Sequence, residues 1–327
     1  MGELSDRRRH TAVKLEELKH DLNLTNDTFK NRACVYLTGS YGRGEASQFS
    51  DLDLFILGRP AVKGPRLLNS LDEICLKAEL ITTARKFKFE EFSKDGKFLV
   101  QYTEYQLIKS IGQPEDDSSN AFTARLLLLL ESQSLIGDDV YNEAISEVVA
   151  AYWRDYPDHK DNFKPTFLTN DILRMWRTFC VNYEAKTDRE PIEKNAEGKL
   201  KNYKLKHSRL LTCFSAILYL LAVYREHNTV SPDDAKHMVS LSPTKRLDWL
   251  IAQKYLNSSR SVVGDLLEKY EDFLISTNKN EKELVSKFMH KDEKIKLIQA
   301  QNDFGKKVFE AVNKIGEGSD FLQRLLV

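Results

Sequence analysis

The sequence predicts a small α/β domain with a mixed sheet over residues 1–115, followed by an all-α helical bundle over residues 116–327. Three observations carry that reading. Two short apolar runs, at 33–39 and 51–57, flank a glycine-containing segment, the pattern of buried strands joined through a turn. A second pair of strand-like runs, FKFEEF and FLVQYT, lies between residues 87 and 103. From residue 121 onward apolar residues recur almost throughout at the spacing of packed helices.

Taken in order, residues 4–22 read as an amphipathic helix with Leu15, Leu18 and Leu22 on one face. ACVYLTG, 33–39, reads as a buried strand ending at a glycine. In the strand expected over 51–57, side chains alternate between faces. Asp51 and Asp53 then project from one face, while Leu52 and Leu54 fill the other. Two like charges this close repel and weaken a strand, so something must compensate for them.

GRPAVKGP, 58–65, is loop-like, and 66–84 has helical periodicity. FKFEEF and FLVQYT form a hairpin if Lys94-Asp95-Gly96 is its turn. Thr103 and Gln106 match a capping box that opens a helix, and Gly112 would stop it. The polar stretch QPEDDSSN, 113–120, is placed as the domain boundary. The charged segment 187–206 is read as a surface loop interrupting the bundle.

Composition narrows the functional classes. Lys plus Arg and Asp plus Glu both number 49, so a polyanion site must be a local patch. Cys34, Cys75, Cys180 and Cys213 are scattered with no CxxC pair, which suits reduced core thiols rather than a zinc site or a disulfide frame. The apolar run at 125–130 is short and flanked by charge, and MGELSDRRRH lacks a signal peptide's apolar core. A cytoplasmic protein without a membrane partner is the expectation.

The chemistry concentrates in TGSYGRGEASQFSDLDLFIL, 38–57. Gly39, Gly42 and Gly44 permit close backbone approach to a ligand, and successive amides in such a turn, with the Ser40 hydroxyl, suit a phosphate. Asp51 and Asp53 suit a hard cation held by carboxylates and phosphate oxygens. With a metal–nucleotide complex bound, their repulsion becomes coordination. The stretch is neither GxxxxGK[ST] nor GxGxxG, so a Walker-type NTPase and a dinucleotide fold are unsupported.

Gly39-Ser40 followed by Ser50-Asp51-Leu52-Asp53 resembles the signature of the DNA polymerase β-type nucleotidyltransferase superfamily. Looser similarity, in AFTARLLLLLESQSLIGDDVYNEAI and NYKLKHSRLLTCFSAI, runs toward the group of the PII-modifying uridylyltransferase, without its phosphohydrolase and ligand-sensing domains. The resemblance implies transfer of a nucleoside monophosphate from an NTP to an acceptor hydroxyl with release of pyrophosphate. It implies Mg²⁺ (a two-ion site, with Mn²⁺ as the substitute) on Asp51 and Asp53, and nucleotide contacts from Gly39, Ser40, Gly42 and Ser50.

The superfamily usually needs a third carboxylate, and Glu90, Glu91, Asp95 and Glu104 are the candidates. With Phe87 and Phe89 facing the core of a regular strand, Glu91 ranks first and Asp95 next. Lys204, Lys206 and Arg209, with Arg174 and Arg177, offer a cationic cluster for the triphosphate or an anionic acceptor. A solvated helix start explains that cluster about as well.

His207 and the tryptophans are expected to be structural, and Arg125 to join a partly buried ion pair. The acceptor could be a protein, a small molecule or an RNA end. The sequence leaves the acceptor, the base and the oligomeric state open. The rival is a non-catalytic nucleotide-binding regulator or a toxin–antitoxin-type interaction protein.

Overall fold

The computed structural model describes residues 2–60, 67–92, 99–185 and 191–325. The chain divides into two compact units, Glu3–Arg154 and Asp155–Val327.

The first unit opens with α1 (Glu3–Asp21) and α2 (Asn23–Phe29), then β1 (Ala33–Leu37), a short α3 (Gly39–Arg43) and β2 (Leu54–Gly58). It continues with α4 (Ser70–Lys86), β3 (Gln101–Thr103), α5 (Glu104–Lys109) and α6 (Pro114–Ser118). It closes with α7 (Ala121–Leu130), β4 (Gln133–Ile136) and α8 (Asp138–Tyr152).

The strands order as β3-β2-β1-β4. β1 runs antiparallel to both β2 and β4, and β2 runs parallel to β3, so the sheet is mixed. β1 is central and buried at every residue, which is why ACVYL carries no charge. Val35, Leu37, Leu54 and Ile56 share a core with Leu15, Leu18, Leu76 and Leu80 from α1 and α4. On the opposite face Tyr36 stacks on Phe55 at 5.4 Å and meets Tyr141 of α8 at 6.3 Å. The Tyr36 hydroxyl buried there donates to the Ala124 carbonyl of α7 at 3.0 Å, as a buried donor must.

Local signals hold where they are self-sufficient. Thr103 and Gln106 form the expected reciprocal capping box of α5. Asn69 caps α4 through the Asp72 amide. The polar stretch 113–120, read as a boundary, instead contains α6, anchored by a fully buried carboxylate. Asp116 takes two hydrogen bonds from Arg125, at 2.8 and 2.7 Å, and one from the Ser110 hydroxyl at 2.8 Å. Arg125 also donates to the Leu107 carbonyl and the Tyr152 hydroxyl. A buried pair is tolerable only when its donors and acceptors are satisfied in this way. Since β4 pairs with β1 and α7 and α8 cover the sheet, the sequence-based boundary at 115/116 falls inside the first unit.

Two further expectations change. FKFEEF is not a strand: α4 runs to Lys86, Lys88 turns the chain at φ +59°, and Phe87, Phe89 and Phe92 pack against the core from an irregular segment. Part of FLVQYT does form β3, but it pairs in parallel with β2. The Lys94-Asp95-Gly96 turn and most of the 58–65 loop lie outside the described residues. Of the cysteines, Cys34 and Cys213 are core thiols, whereas Cys75 is exposed and Cys180 half-buried.

The second unit contains α9 (Thr166–Glu184), α10 (Ile192–Lys204), α11 (Leu210–His227), α12 (Pro232–Ser240) and α13 (Pro243–Ala252). It ends with α14 (Arg260–Ser276), α15 (Glu281–Met289), α16 (Lys291–Ile315) and α17 (Asp320–Gln323). Most of the supposed surface loop at 187–206 is α10. Ala196, Leu200 and Tyr203 bury one of its faces, and the lysines that made it read as a loop occupy the other.

A π-helical turn, Leu205–Arg209, joins α10 to α11. Among the described residues this continuous run, Ile192–His227, is long and apolar enough to cross a membrane, but 89% of its apolar window is buried within the protein. A core helix has that character.

His207 sits in the π turn, stacked on Phe273 at 4.4 Å and Phe304 at 4.9 Å, with Nδ1 2.9 Å from the Tyr203 carbonyl. Burial pushes its pKa down to about 4. The unfolded chain therefore binds a proton that the folded chain refuses. The stabilising contribution is complete above about pH 6.5 and is lost as pH falls through 4. Denaturant titrations at pH 7 and pH 5 should differ by about 2 kcal/mol from this group, a difference that His207→Leu removes.

Candidate active site

The site begins where the β1–β2 ladder outlasts its regular pairs. Beyond Leu37↔Leu54, the Thr38 amide donates to the Asp53 carbonyl at 2.9 Å. That bond fixes Asp53 opposite the residue preceding Gly39. Leu52 and Leu54 are buried while Asp51 and Asp53 are exposed, so the alternation expected from sequence holds, although β2 itself starts only at Leu54.

Gly39 follows at φ +65° and starts α3. A Cβ there would lie 2.6 Å from Asp53 Oδ2. Glycine is thus required twice, by the left-handed backbone and by the carboxylate lying against it. Ser40, half-buried, is next. Its carbonyl accepts from the Gly44 and Glu45 amides, closing the turn. The amides of Ser40 and Tyr41 lie in a first helical turn, which offers them no intrahelical acceptor.

Beneath this surface is a buried ionic anchor that sequence reasoning missed. Glu131, directly after α7, accepts from the Gly39 amide through Oε1 at 3.0 Å and from Arg43 Nη1 through Oε2 at 3.0 Å. Arg43 also bonds the Glu45 carboxylate. Arg7 Nη1 donates to the Glu45 carbonyl at 3.3 Å, and the Ala46 amide donates to Thr11 Oγ1 at 2.8 Å. Gln133 of β4 donates to the Tyr41 and Gly42 carbonyls at 3.0 and 3.2 Å. The loop is therefore clamped from α1, from the end of α7 and from β4. One signal for Glu131 was legible: a carboxylate closing the run AFTARLLLLL must find a partner if that run is buried. Which partner was not legible.

Not every glycine faces a ligand. A Cβ on Gly42 would meet the Glu131 carbonyl at 2.1 Å and the Leu37 carbonyl at 2.7 Å. At Gly42, expected among the nucleotide contacts, the missing side chain lets α3 lie on the chain after α7. The Gly39 amide likewise serves Glu131 rather than an open cradle. Ser50 shapes the approach to the Asp pair: its Oγ accepts from the Ser47 amide at 3.0 Å, and its amide returns to the Ser47 carbonyl at 3.1 Å. Tyr41 packs edge-on against Phe89 at 5.6 Å. Burial first, then the negative charges of Glu17 and Asp51, pushes its hydroxyl pKa up to about 12.

Glu91 does not take the inward position that a regular strand would give it. The irregular course of 87–92 leaves it exposed, where it takes two hydrogen bonds from Arg85, at 2.7 and 3.1 Å, and that ion pair holds its carboxyl below the usual range. Glu104 is half-buried in the first turn of α5, its pKa raised by burial and then by Glu147 and Glu143 of α8. Asp95 lies outside the described residues. Among the described residues no group of three or more Asp, Glu, His or Cys is arranged to hold a metal. Asp51 and Asp53 still fit Mg²⁺ in the way that ion is commonly held, by one or two carboxylates with phosphate oxygens completing its shell.

The cationic cluster belongs to the second unit. Lys204 is exposed, Lys206 lies 3.8 Å from Glu184, and Arg209 sits over the Phe179 ring at 5.7 Å. Arg174 lies 3.5 Å from Asp171 of its own helix. Lys206, Arg209 and Arg174 thus have local partners within this unit.

Against this geometry, residues 22–113 match the family model of the nucleotidyltransferase domain, of the polymerase β-like kind. The matched stretch contains Gly39, Ser40, Asp51 and Asp53, and stops short of both segments that carry the looser similarity to the uridylyltransferase group. No curated protein matches the chain.

Proposed function

We propose, from the premise that residues 22–113 are a nucleotidyltransferase domain, that this protein moves a nucleoside monophosphate from an NTP to an acceptor hydroxyl. The domain match supports nucleotidyl transfer as the general activity. The observation that carries the finer reading is the contact of Asp53 with Gly39, where a Cβ would stand 2.6 Å from the carboxylate. That contact joins the acidic strand end to the serine turn, so one bound triphosphate can meet both.

In the reaction an acceptor oxygen forms a bond to the α-phosphorus as the bond to the bridging α,β-oxygen breaks, and pyrophosphate leaves. Asp51 and Asp53 would hold Mg²⁺, with Mn²⁺ as a substitute; when bound, the ion supplies charge neutralisation and a more acidic nucleophile. Ser40 and the adjacent first-turn amides hold phosphate oxygens. Gly39 leaves room for the carboxylate. Glu131 and Arg43 fix the turn so that no reorganisation accompanies the reaction. Tyr41, kept protonated well above neutral pH, adds no charge beside Asp51.

Pyrophosphate release should be measured with each of the four NTPs, Mg²⁺ and a cell lysate as acceptor source. Release by the wild type that is absent from Asp51→Ala/Asp53→Ala is the expected result. The acceptor, whether a protein, a small molecule or an RNA end, is then the fraction that retains label from an α-³²P NTP.

One observation favours a second reading. The leading candidate for the third acid is engaged with Arg85, and no three-ligand acid cluster exists among the described residues. A nucleotide-binding regulator without catalysis would bind NTP without a divalent cation and release no pyrophosphate.

A further inference from the structure

We infer that the second unit carries a separate pocket for a small amphipathic anion, a molecule with an apolar body and one acidic group. A cavity of about 830 Å³ opens between α9, α11, α16 and α17, within the size range of sites for small organic ligands. Its wall is apolar and aromatic: Trp176 meets Phe214 edge-on at 6.4 Å, and Phe309, although aromatic, is left 68% exposed. Its charged residues are all cations, Arg177, Lys206 and Lys306, with no carboxylate among the lining residues. Lys206 and Lys306 have acids nearby, at 3.8 and 3.4 Å. Arg177 has no ion-pair partner among the described residues. An apolar chamber whose charged lining residues are of one sign selects an apolar anion over an apolar cation.

A second observation points the same way. Gly305 lines this cavity from the interior of α16, the 25-residue helix Lys291–Ile315. Its backbone is not in the left-handed region, and a Cβ there would meet nothing within 4 Å. Neither conformation nor crowding calls for glycine, which weakens a helix interior relative to alanine. What its missing side chain does provide is room in the cavity.

The full chain should be titrated with 8-anilino-1-naphthalenesulfonate, an aromatic body with one anionic group, and with N-phenyl-1-naphthylamine, its neutral counterpart. Saturable one-to-one binding of the sulfonate is expected. Gly305→Leu, which fills the space without a clash at Cβ, should weaken both dyes at least tenfold. Arg177→Gln should weaken the sulfonate about fivefold or more and leave the neutral dye unchanged. Displacement by decanoate assigns an acyl-chain acid, and displacement by 1-naphthoate an aromatic one; either supports the pocket. Displacement by neither overturns the proposal, as does wild-type affinity in Gly305→Leu or an equal effect of Arg177→Gln on both dyes. Near-UV circular dichroism identifies any variant whose dye signal reports unfolding. Pyrophosphate release plays no part in the readout, so the pocket and the nucleotidyl transfer fail independently.

Discussion

Asp53→Asn is expected to lower nucleotidyl transfer by on the order of 10³-fold or more, while leaving stability within about 0.5 kcal/mol of wild type. Both halves follow from position. The side chain is exposed, so little burial is lost. The Asp53 carbonyl accepts from the Thr38 amide, a backbone bond that survives the substitution. Asparagine keeps the shape beside Gly39 but removes the negative charge that a phosphate-bound cation requires. The check is a paired measurement of turnover and urea denaturation. A variant that loses activity and stability together would show that Asp53 acts through folding.

Gly42→Ala carries the largest expected effect on stability. Both atoms that the new methyl would strike are backbone carbonyl oxygens, at 2.1 and 2.7 Å, so no side chain can swing aside. α3 must lift from the chain after α7, and the Gly39–Glu131 and Arg43–Glu131 bonds lengthen with it. Overpacking of this kind costs about 1–3 kcal/mol, and more where buried charges lose partners, so a loss of about 3 kcal/mol is expected. Activity should fall even at temperatures where the variant is folded, because Gly39 and Ser40 move with α3. The same substitution at Gly264, in the interior of α14 with nothing within 4 Å of the new Cβ, should stabilise by about 0.5–1 kcal/mol. Opposite signs for one chemical change, read from urea midpoints, would separate the crowding at Gly42 from a general response to alanine.

These contrasts mark what sequence alone could and could not reveal. The Asp51–Leu54 alternation, the Thr103–Gln106 capping box and the bundle helices rest on local periodicity, and local periodicity survived folding. Gly39-Ser40 and the Asp pair were legible because the chemistry needs them close in the chain. The partner of Glu131 was not, because it lies 92 residues away and only the pairing of β4 with β1 brings the end of α7 under the turn. Gly42 looked like its neighbour Gly39, since a ligand and a carbonyl oxygen exclude a Cβ for the same steric reason. The placement of Glu91 differed because it assumed a regular strand. Phe87, Phe89 and Phe92 all reach the core from an irregular segment, and the acid between them turns outward to Arg85. The polar stretch 113–120 misled because Asp116 is buried with Arg125, and composition does not reveal a pairing made nine residues later.

The measurement that tests the central claim most directly follows the phosphorus atoms. The protein should be incubated with Mg²⁺, a cell lysate and the same NTP labelled at either the α- or the γ-phosphate. Nucleotidyl transfer by the Asp51–Asp53 site predicts α-label joined to an acceptor, γ-label recovered only in pyrophosphate, and neither outcome with Asp53→Asn. Transfer of the γ-label to an acceptor, or release of orthophosphate with no α-label transferred, would contradict it.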